Sequence, residues 1–195
     1  LEVLRQPLED KCIKISRANG SVTYPANFML VAALNPCPCG YFNSNVRACT
    51  CSEFERRRYL GKFSGPLLDR FDIFSYVNYV KPNDFDGNVK REPSKCIRRR
   101  VVSARKIQRE RYKHEKIYTN SQMDEEQIKK YCKLDKDSKM LLNAIYEKYH
   151  LSLRVYNKLL KLSRTIADLR GGNDISETDM IEALQYRKYI NNEFI

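Results

Sequence analysis

No stretch of these 195 residues approaches the roughly 18 to 20 consecutive apolar residues that cross a bilayer as a helix. The first residues also lack a charged-then-apolar signal pattern, so neither a membrane helix nor an export leader is expected. Histidine is scarce. Only His114 and His150 occur, neither has a partner that suggests nucleophilic or acid–base catalysis, and both are expected on the surfaces of helices. Equally absent is any Gly-x-x-x-x-Gly-Lys-[Ser/Thr] run, the backbone cradle and lysine that hold the β- and γ-phosphates of a nucleotide. There is no initiating Met, and Leu1-Glu2-Val3-Leu4-Arg5 reads as the end of an amphipathic helix, so a portion of a longer protein is expected.

What is present suffices for one core of ordinary size, or two small ones joined by a linker, with 42% hydrophobic residues. The net charge of +12 is unevenly spread: residues 90–116 carry twelve Lys/Arg against three Asp/Glu. Such a stripe attracts polyanions by counterion release, which makes nucleic acid the first partner to consider, with a solvated helix face as the alternative.

Seven cysteines are many for this length, and an odd number argues against a simple disulfide framework. Cys12, Cys96 and Cys132 are scattered and read as reduced packing residues, as expected in cytoplasm. The other four form Cys37-Pro-Cys39 and Cys49-Thr-Cys51, with Pro38 and Gly40 bending the chain. Two such pairs can bring four thiolates around one Zn²⁺, and with four protein ligands such a site is closed and structural. Disulfides and reduced core cysteines are the rival readings.

The texture changes along the chain. Up to about residue 80 strand, turn and short helix are mixed; after a break at 81–93 helix follows helix through 94–195. In the first region, residues 12–16 and 21–24 flank Asn19-Gly20, a hairpin signal because both residues tolerate positive φ. Residues 28–34 form a continuous apolar run, as in a strand of a covered parallel sheet, and a second strand is expected over 72–80. Ser52 and Glu55 make a capping box that starts a helix running to about Gly61. Beyond the break, Ser94 is the expected N-cap of a long helix with Ile97, Val101, Ala104 and Ile107 on its apolar face. Further helices fit 124–132, 136–149, 152–170 and 176–188, the third with a stripe of Val155, Leu159, Leu162, Ile166 and Leu169 and a stop at Gly171-Gly172.

Asn35 follows the apolar run, where a short amide at a strand end can orient a water or a phosphate oxygen; an Asn-Pro turn initiator is the bland alternative. Arg70 precedes the second expected strand, and its guanidinium either reaches a phosphate or pairs locally with Asp69 or Asp72. Arg154 and Arg164 share one helix, and either could face a phosphate or solvent.

The runs Leu4-Arg-Gln-Pro-Leu-Glu-Asp10, Ile15-Ser-Arg-Ala18, Val31-Ala-Ala-Leu-Asn-Pro-Cys-Pro-Cys-Gly40, Ser64-Gly-Pro-Leu-Leu-Asp-Arg-Phe-Asp72 and Ser163-Arg-Thr-Ile-Ala-Asp-Leu169 resemble the magnesium-chelatase-like AAA+ proteins of the ComM/YifB type. The resemblance implies an α/β region followed by an all-α one: residues 1–80 as the rear of an AAA+ core, with a partial parallel sheet, a pre-sensor-1 hairpin and a zinc-binding insertion, then a linker at 81–93 and a helical lid at 94–195. It implies Asn35 as sensor 1, Arg70 as an arginine finger acting in trans, and Arg154 as sensor 2. The hairpin at 12–24 would touch DNA through Lys14 and Arg17, an exposed and merely solvated tip being the alternative. The phosphate-binding loop and the acidic Mg²⁺-holding motif would lie upstream of Leu1, so these residues alone are expected not to hydrolyse ATP. The cysteine cluster favours the ComM/YifB branch over the chelatase subunits proper.

For the full-length protein the resemblance implies a homo-oligomeric ring, a hexamer, using ATP and Mg²⁺ to move along single-stranded or branched DNA in the cytoplasm. Two other readings stand beside it: a chelatase-type remodeller that drives metal insertion by a partner protein, and a non-enzymatic module that binds zinc and nucleic acid.

Overall fold

The computed structural model describes residues 1–77, 79 and 91–187. These fall into two compact units, one within residues 1–79 and one within 91–187. The expected linker lies outside the described residues except for 91–93.

The first unit opens with a 3-10 turn, Glu2–Leu4, and the short helix α1, Arg5–Asp10, which stops at Lys11 in the left-handed region, φ 54°. Strands β1, Cys12–Arg17, and β2, Gly20–Pro25, then pair antiparallel as expected. The turn differs from the Asn-Gly expectation. Arg17 pairs with Gly20, so Ala18 and Asn19 form the connection, and of Asn19 and Gly20 only the glycine takes positive φ, 147°. Because strand side chains alternate, Ile13, Ile15 and Arg17 share one face with Val22 and Tyr24, while Lys14 and Ser16 share the other with Ser21 and Thr23. Both faces are exposed.

Among the described residues neither expected parallel strand is formed. Residues 26–51 hold no helix or strand, with Met29 and Val31 87% and 81% exposed, and residues 72–77 hold no strand; positions 78 and 80 lie outside the described residues. A parallel strand takes its backbone hydrogen bonds from neighbours, and the only sheet among the described residues is the two-stranded hairpin. Apolar character alone therefore leaves 28–34 without a strand partner. Helix α2, Glu53–Leu60, begins at the expected box: the Ser52 hydroxyl accepts from the Glu55 amide and the Glu55 carboxylate accepts from the Ser52 amide. Helix α3, Gly65–Leu68, is capped by Ser64 and buries Leu67.

The second unit is helical. Helix α4, Ser94–Arg111, is capped at Pro93, so Ser94 is its first residue rather than its cap. Its apolar face is only partly used, since Ala104 is buried while Ile97 and Val101 stay exposed. A 3-10 turn at Asn120–Gln122 leads to α5, Glu125–Tyr131; α6, Lys136–Lys148; α7, Leu153–Arg170; and α8, Glu177–Gln185. Asp124, Asp135, Ser152 and Ser176 each cap a helix by accepting a backbone N–H in its first turn. Gly171, φ 81°, closes α7 as expected: its N–H reaches the Asp168 carbonyl at 3.1 Å and that of Gly172 reaches Ala167 at 2.8 Å, a Schellman motif. His114 and His150 are exposed but occupy turns beyond helix ends, not helix surfaces.

Helix α7 is the hub of this unit, packing against α4, α5 and α8. Val155, Leu159 and Ile166 of the expected stripe are buried with Leu160, Ala167, Leu142, Ile175 and Met180, whereas Leu169 is exposed. Position 168 takes the interior place instead. Asp168, 1% exposed, accepts from Arg111 Nη1 at 2.8 Å, Asn120 Nδ2 at 2.8 Å and Arg164 Nε at 3.1 Å. Arg164, 2% exposed, also donates to the carbonyls of Gly172 and Asn173 at 2.7 Å each. It is thus committed to the interior and does not face a phosphate.

Two expectations for stability result. Asp168→Ala leaves buried guanidinium groups without their anion and should cost about 3 to 5 kcal/mol in urea unfolding of the chain, whereas Glu110→Ala, in an exposed pair, should leave the unfolding midpoint nearly unchanged. Glu115 accepts from Lys130, Tyr131 and Gln127, which hold its carboxyl down at about 2. With the folded value below the unfolded one of roughly 4.3, its contribution is present above that pH and is lost as pH falls through about 2. Thermal melts of Glu115→Gln should therefore show a flatter loss of stability with acidification than the parent chain.

Candidate metal centre and nucleotide-sensing residues

Cys37-Pro38-Cys39-Gly40 forms a tight turn in which the Gly40 N–H donates to the Cys37 carbonyl at 3.0 Å, with Gly40 at φ 82°. A side chain there would be strained, and a Cβ would also stand 3.8 Å from the Asn35 carboxamide. The turn brings Cys37 and Cys39 to one side, and Cys49 and Cys51 return to meet them just before α2. All four sulfurs lie within 4.8 Å of one another. The separations are 3.3 Å between Cys37 and Cys39, 3.5 Å between Cys39 and Cys49, and 3.7 Å between Cys37 and Cys49.

Those distances discriminate among the three readings of the cluster. A disulfide requires about 2.05 Å between sulfurs, and all of these cysteines are free thiols. Four thiolates about 2.3 Å from a tetrahedral metal stand roughly 3.8 Å apart, close to what is found. Cys37 is fully buried and its sulfur accepts the Phe42 N–H at 3.3 Å. Arg56 of α2 lies over the Phe42 ring at 4.6 Å and donates to the Cys51 carbonyl at 2.7 Å, so α2 braces the cluster from outside.

The crowded thiols also shift one another's protonation. Hydrogen bonding from the Tyr41 backbone, followed by the Thr50 backbone and neighbouring thiols, lowers Cys39 to about 5. Cys49 is raised, first by burial. A backbone hydrogen bond at Cys39 lowers Cys51, but burial and the three other sulfurs outweigh it and push it up to about 12. One thiolate is comfortable here and several are not, unless a divalent ion replaces their protons. The four cysteines are able to hold a metal ion, with no protein ligand missing.

The remaining candidates are not gathered at this centre. Asn35 is exposed beside the Gly40 turn. Arg70 follows α3 and lines an open groove of about 460 Å³ with Glu2, Val3, Arg5, Gln6, Glu9 and Asp10. Its Nε donates to the Arg5 carbonyl at 2.9 Å, Nη1 to the Pro66 carbonyl at 2.6 Å, and Nη2 to the Glu9 carboxylate. The local-pairing alternative named Asp69 and Asp72; Glu9 was missed, because nothing in the sequence marks a partner so remote. Lys14 and Arg17 are exposed on opposite faces of the hairpin. Arg154, in the first turn of α7, is exposed and belongs to the other unit.

Comparison with known proteins agrees with this architecture. Residues 1–85 match the family model of magnesium chelatase, subunit ChlI, and residues 91–187 match that of its C-terminal region. A hairpin and cysteine cluster followed by a helical unit thus define an AAA+-type C-terminal portion. Among curated relatives, the competence protein ComM of Haemophilus influenzae is 39% identical over 191 residues, covering 97% of this chain and 36% of the relative. The uncharacterized proteins YifB of Salmonella typhimurium and Escherichia coli are each 37% identical over 188 residues, covering 96% of this chain and 36% of the relative. The chain belongs to the magnesium-chelatase-like ComM/YifB family of AAA+ ATPases, and it spans about a third of the length of these relatives.

Among the described residues no helix is long and apolar enough to cross a membrane. For the cysteine site, elemental analysis of protein purified without chelator should find about one metal ion per chain, and Cys37→Ser should reduce it to a small fraction. A metal content unchanged in that variant would remove the cluster from metal binding.

Proposed function

We propose that this chain forms the rear portion of a ring-forming AAA+ ATPase, a hexamer, that couples ATP hydrolysis to translocation on or remodelling of single-stranded or branched DNA. The reading rests on family membership together with one structural observation, the way Arg70 is held. Three acceptors from α1 and α3 fix the guanidinium at the end of a short helix, so its direction is set by the fold rather than by a flexible side chain. To act as an arginine finger on a neighbour's γ-phosphate the guanidinium exchanges the Glu9 carboxylate for phosphate oxygens, while the Arg5 and Pro66 carbonyls keep it positioned.

Asn35 serves as sensor 1, Arg154 as sensor 2 on the helical lid, and the pre-sensor-1 hairpin presents Lys14 and Arg17 to the strand. Asn35 and Arg154 act on nucleotide held with Mg²⁺ by the phosphate-binding loop of the full-length protein. Zinc is the metal of the cysteine cluster, where a closed sulfur set gives it a structural rather than catalytic part. The relative named a competence protein favours uptake or recombination of DNA as the setting.

One observation favours a second reading. Both family models are those of magnesium chelatase, which suits a ring that remodels a partner for metal insertion. The motor reading predicts that Arg70→Ala in the full-length protein lowers DNA-stimulated hydrolysis by about two to five orders of magnitude at saturating ATP. Hydrolysis within a few-fold of the parent would remove Arg70 from catalysis and sink the assignment.

A further inference from the structure

The basic stripe noted in the sequence resolves into two populations on α4. Arg100 and Arg111 turn toward acidic partners, Arg100 pairing with Glu92 at 2.7 Å and Arg111 with buried Asp168. Lys95, Arg98, Arg99, Arg105, Lys106 and Arg109 do otherwise. At 100° per residue they fall within an arc of about 120°, and among the described residues none of them has a hydrogen-bond, ion-pair or ring partner. All are exposed except half-buried Arg105, while Ala104 and Gln108, on the opposite side of the helix, are buried.

We propose that this face of α4 is a nucleic-acid contact surface, separate from the hairpin, that binds the phosphodiester backbone. It rests on the reading of DNA as the partner and deepens it by naming a second surface. From Lys95 to Arg109 the row is about 21 Å long at 1.5 Å per residue, which spans several consecutive phosphates of either a single strand or a duplex. Like charges left unpaired on one face repel each other, and their neighbours on the same helix show that acidic partners are available where pairing serves the fold. Four of the six are arginines, whose planar fork suits phosphate oxygens. The face carries only Val102 as an exposed apolar side chain, too little to enter a lipid interface as membrane-lying helices do. Stacking on bases is not expected, because no aromatic side chain lies within α4.

The test compares two variants of the 195-residue chain with equal charge loss. One carries Lys95→Gln, Arg98→Gln, Arg105→Gln and Arg109→Gln; the other carries Lys129→Gln, Lys133→Gln, Lys139→Gln and Lys148→Gln on exposed positions of other helical-unit segments. Fluorescence anisotropy with a labelled 30-nucleotide single strand and a 30-base-pair duplex is followed from 50 to 250 mM salt. The α4 variant should bind at least about tenfold more weakly at low salt, and its log–log salt slope should be shallower by roughly 3 to 4, with a small change in the control. The preference between the two DNAs says which form the row tracks. Equal losses in both variants would reduce the effect to bulk charge and overturn the proposal. So would a loss confined to vesicles containing anionic lipid. A third variant, Lys14→Gln with Arg17→Gln, separates the two claims: binding lost there and kept in the α4 variant defeats this surface while leaving the hairpin as the DNA contact. Unchanged helical circular dichroism and melting in the α4 variant exclude misfolding, as expected for exposed side chains without partners.

Discussion

Asp168 is the point on which the helical unit turns. A carboxylate without solvent is costly unless its lone pairs are filled, and here Arg111, Asn120 and Arg164 fill them from α4, the 3-10 turn and α7 itself. Arg164 then carries the connection to the Gly172 and Asn173 carbonyls, so the same ion group fixes the chain as it leaves α7 toward α8. The arrangement sets the rotation of α4 about its axis. With Arg111 drawn inward and Ala104 and Gln108 packed, the six unpartnered cations have only the outer face left to them. Electrostatics inside the unit thereby decides what it presents outside.

The first unit is held together differently. Its hairpin leaves both faces exposed and the apolar run at 28–34 lies unpaired, so apolar packing does little to order it. Local devices take over: the Gly40 turn, the four convergent sulfurs, the Ser52 box that starts α2, and the hold of Arg5, Glu9 and Pro66 on Arg70. A metal at the cysteines fits this economy, since coordination orders a segment that buries little apolar surface.

What could be read from the sequence was what depends on neighbours in the chain. The capping box at Ser52, the helix starts near Asp124, Ser152 and Ser176 and the stop at Gly171 are set by short-range hydrogen bonds, and two Cys-x-Cys pairs suggest a shared ligand beside the rival readings. What depends on remote partners was hidden. Residues 28–34 have the composition of a strand, yet a strand exists only beside another. The Glu9 pairing with Arg70 and the burial of Asp168 in place of Leu169 belong to the same class, because periodicity counts apolar residues and is blind to a polar group that the fold chooses to bury. Arg164, left open between a phosphate and solvent, takes neither and ties α7 to the Gly172 and Asn173 carbonyls.

The proposed motor driven along DNA is tested by the rate of ATP hydrolysis of the full-length protein with and without single-stranded DNA. Hydrolysis should rise severalfold on adding DNA, with the stimulation fading as salt is raised and counterion release weakens. Hydrolysis at the same rate with and without DNA, at low salt and with the ring assembled, would contradict it.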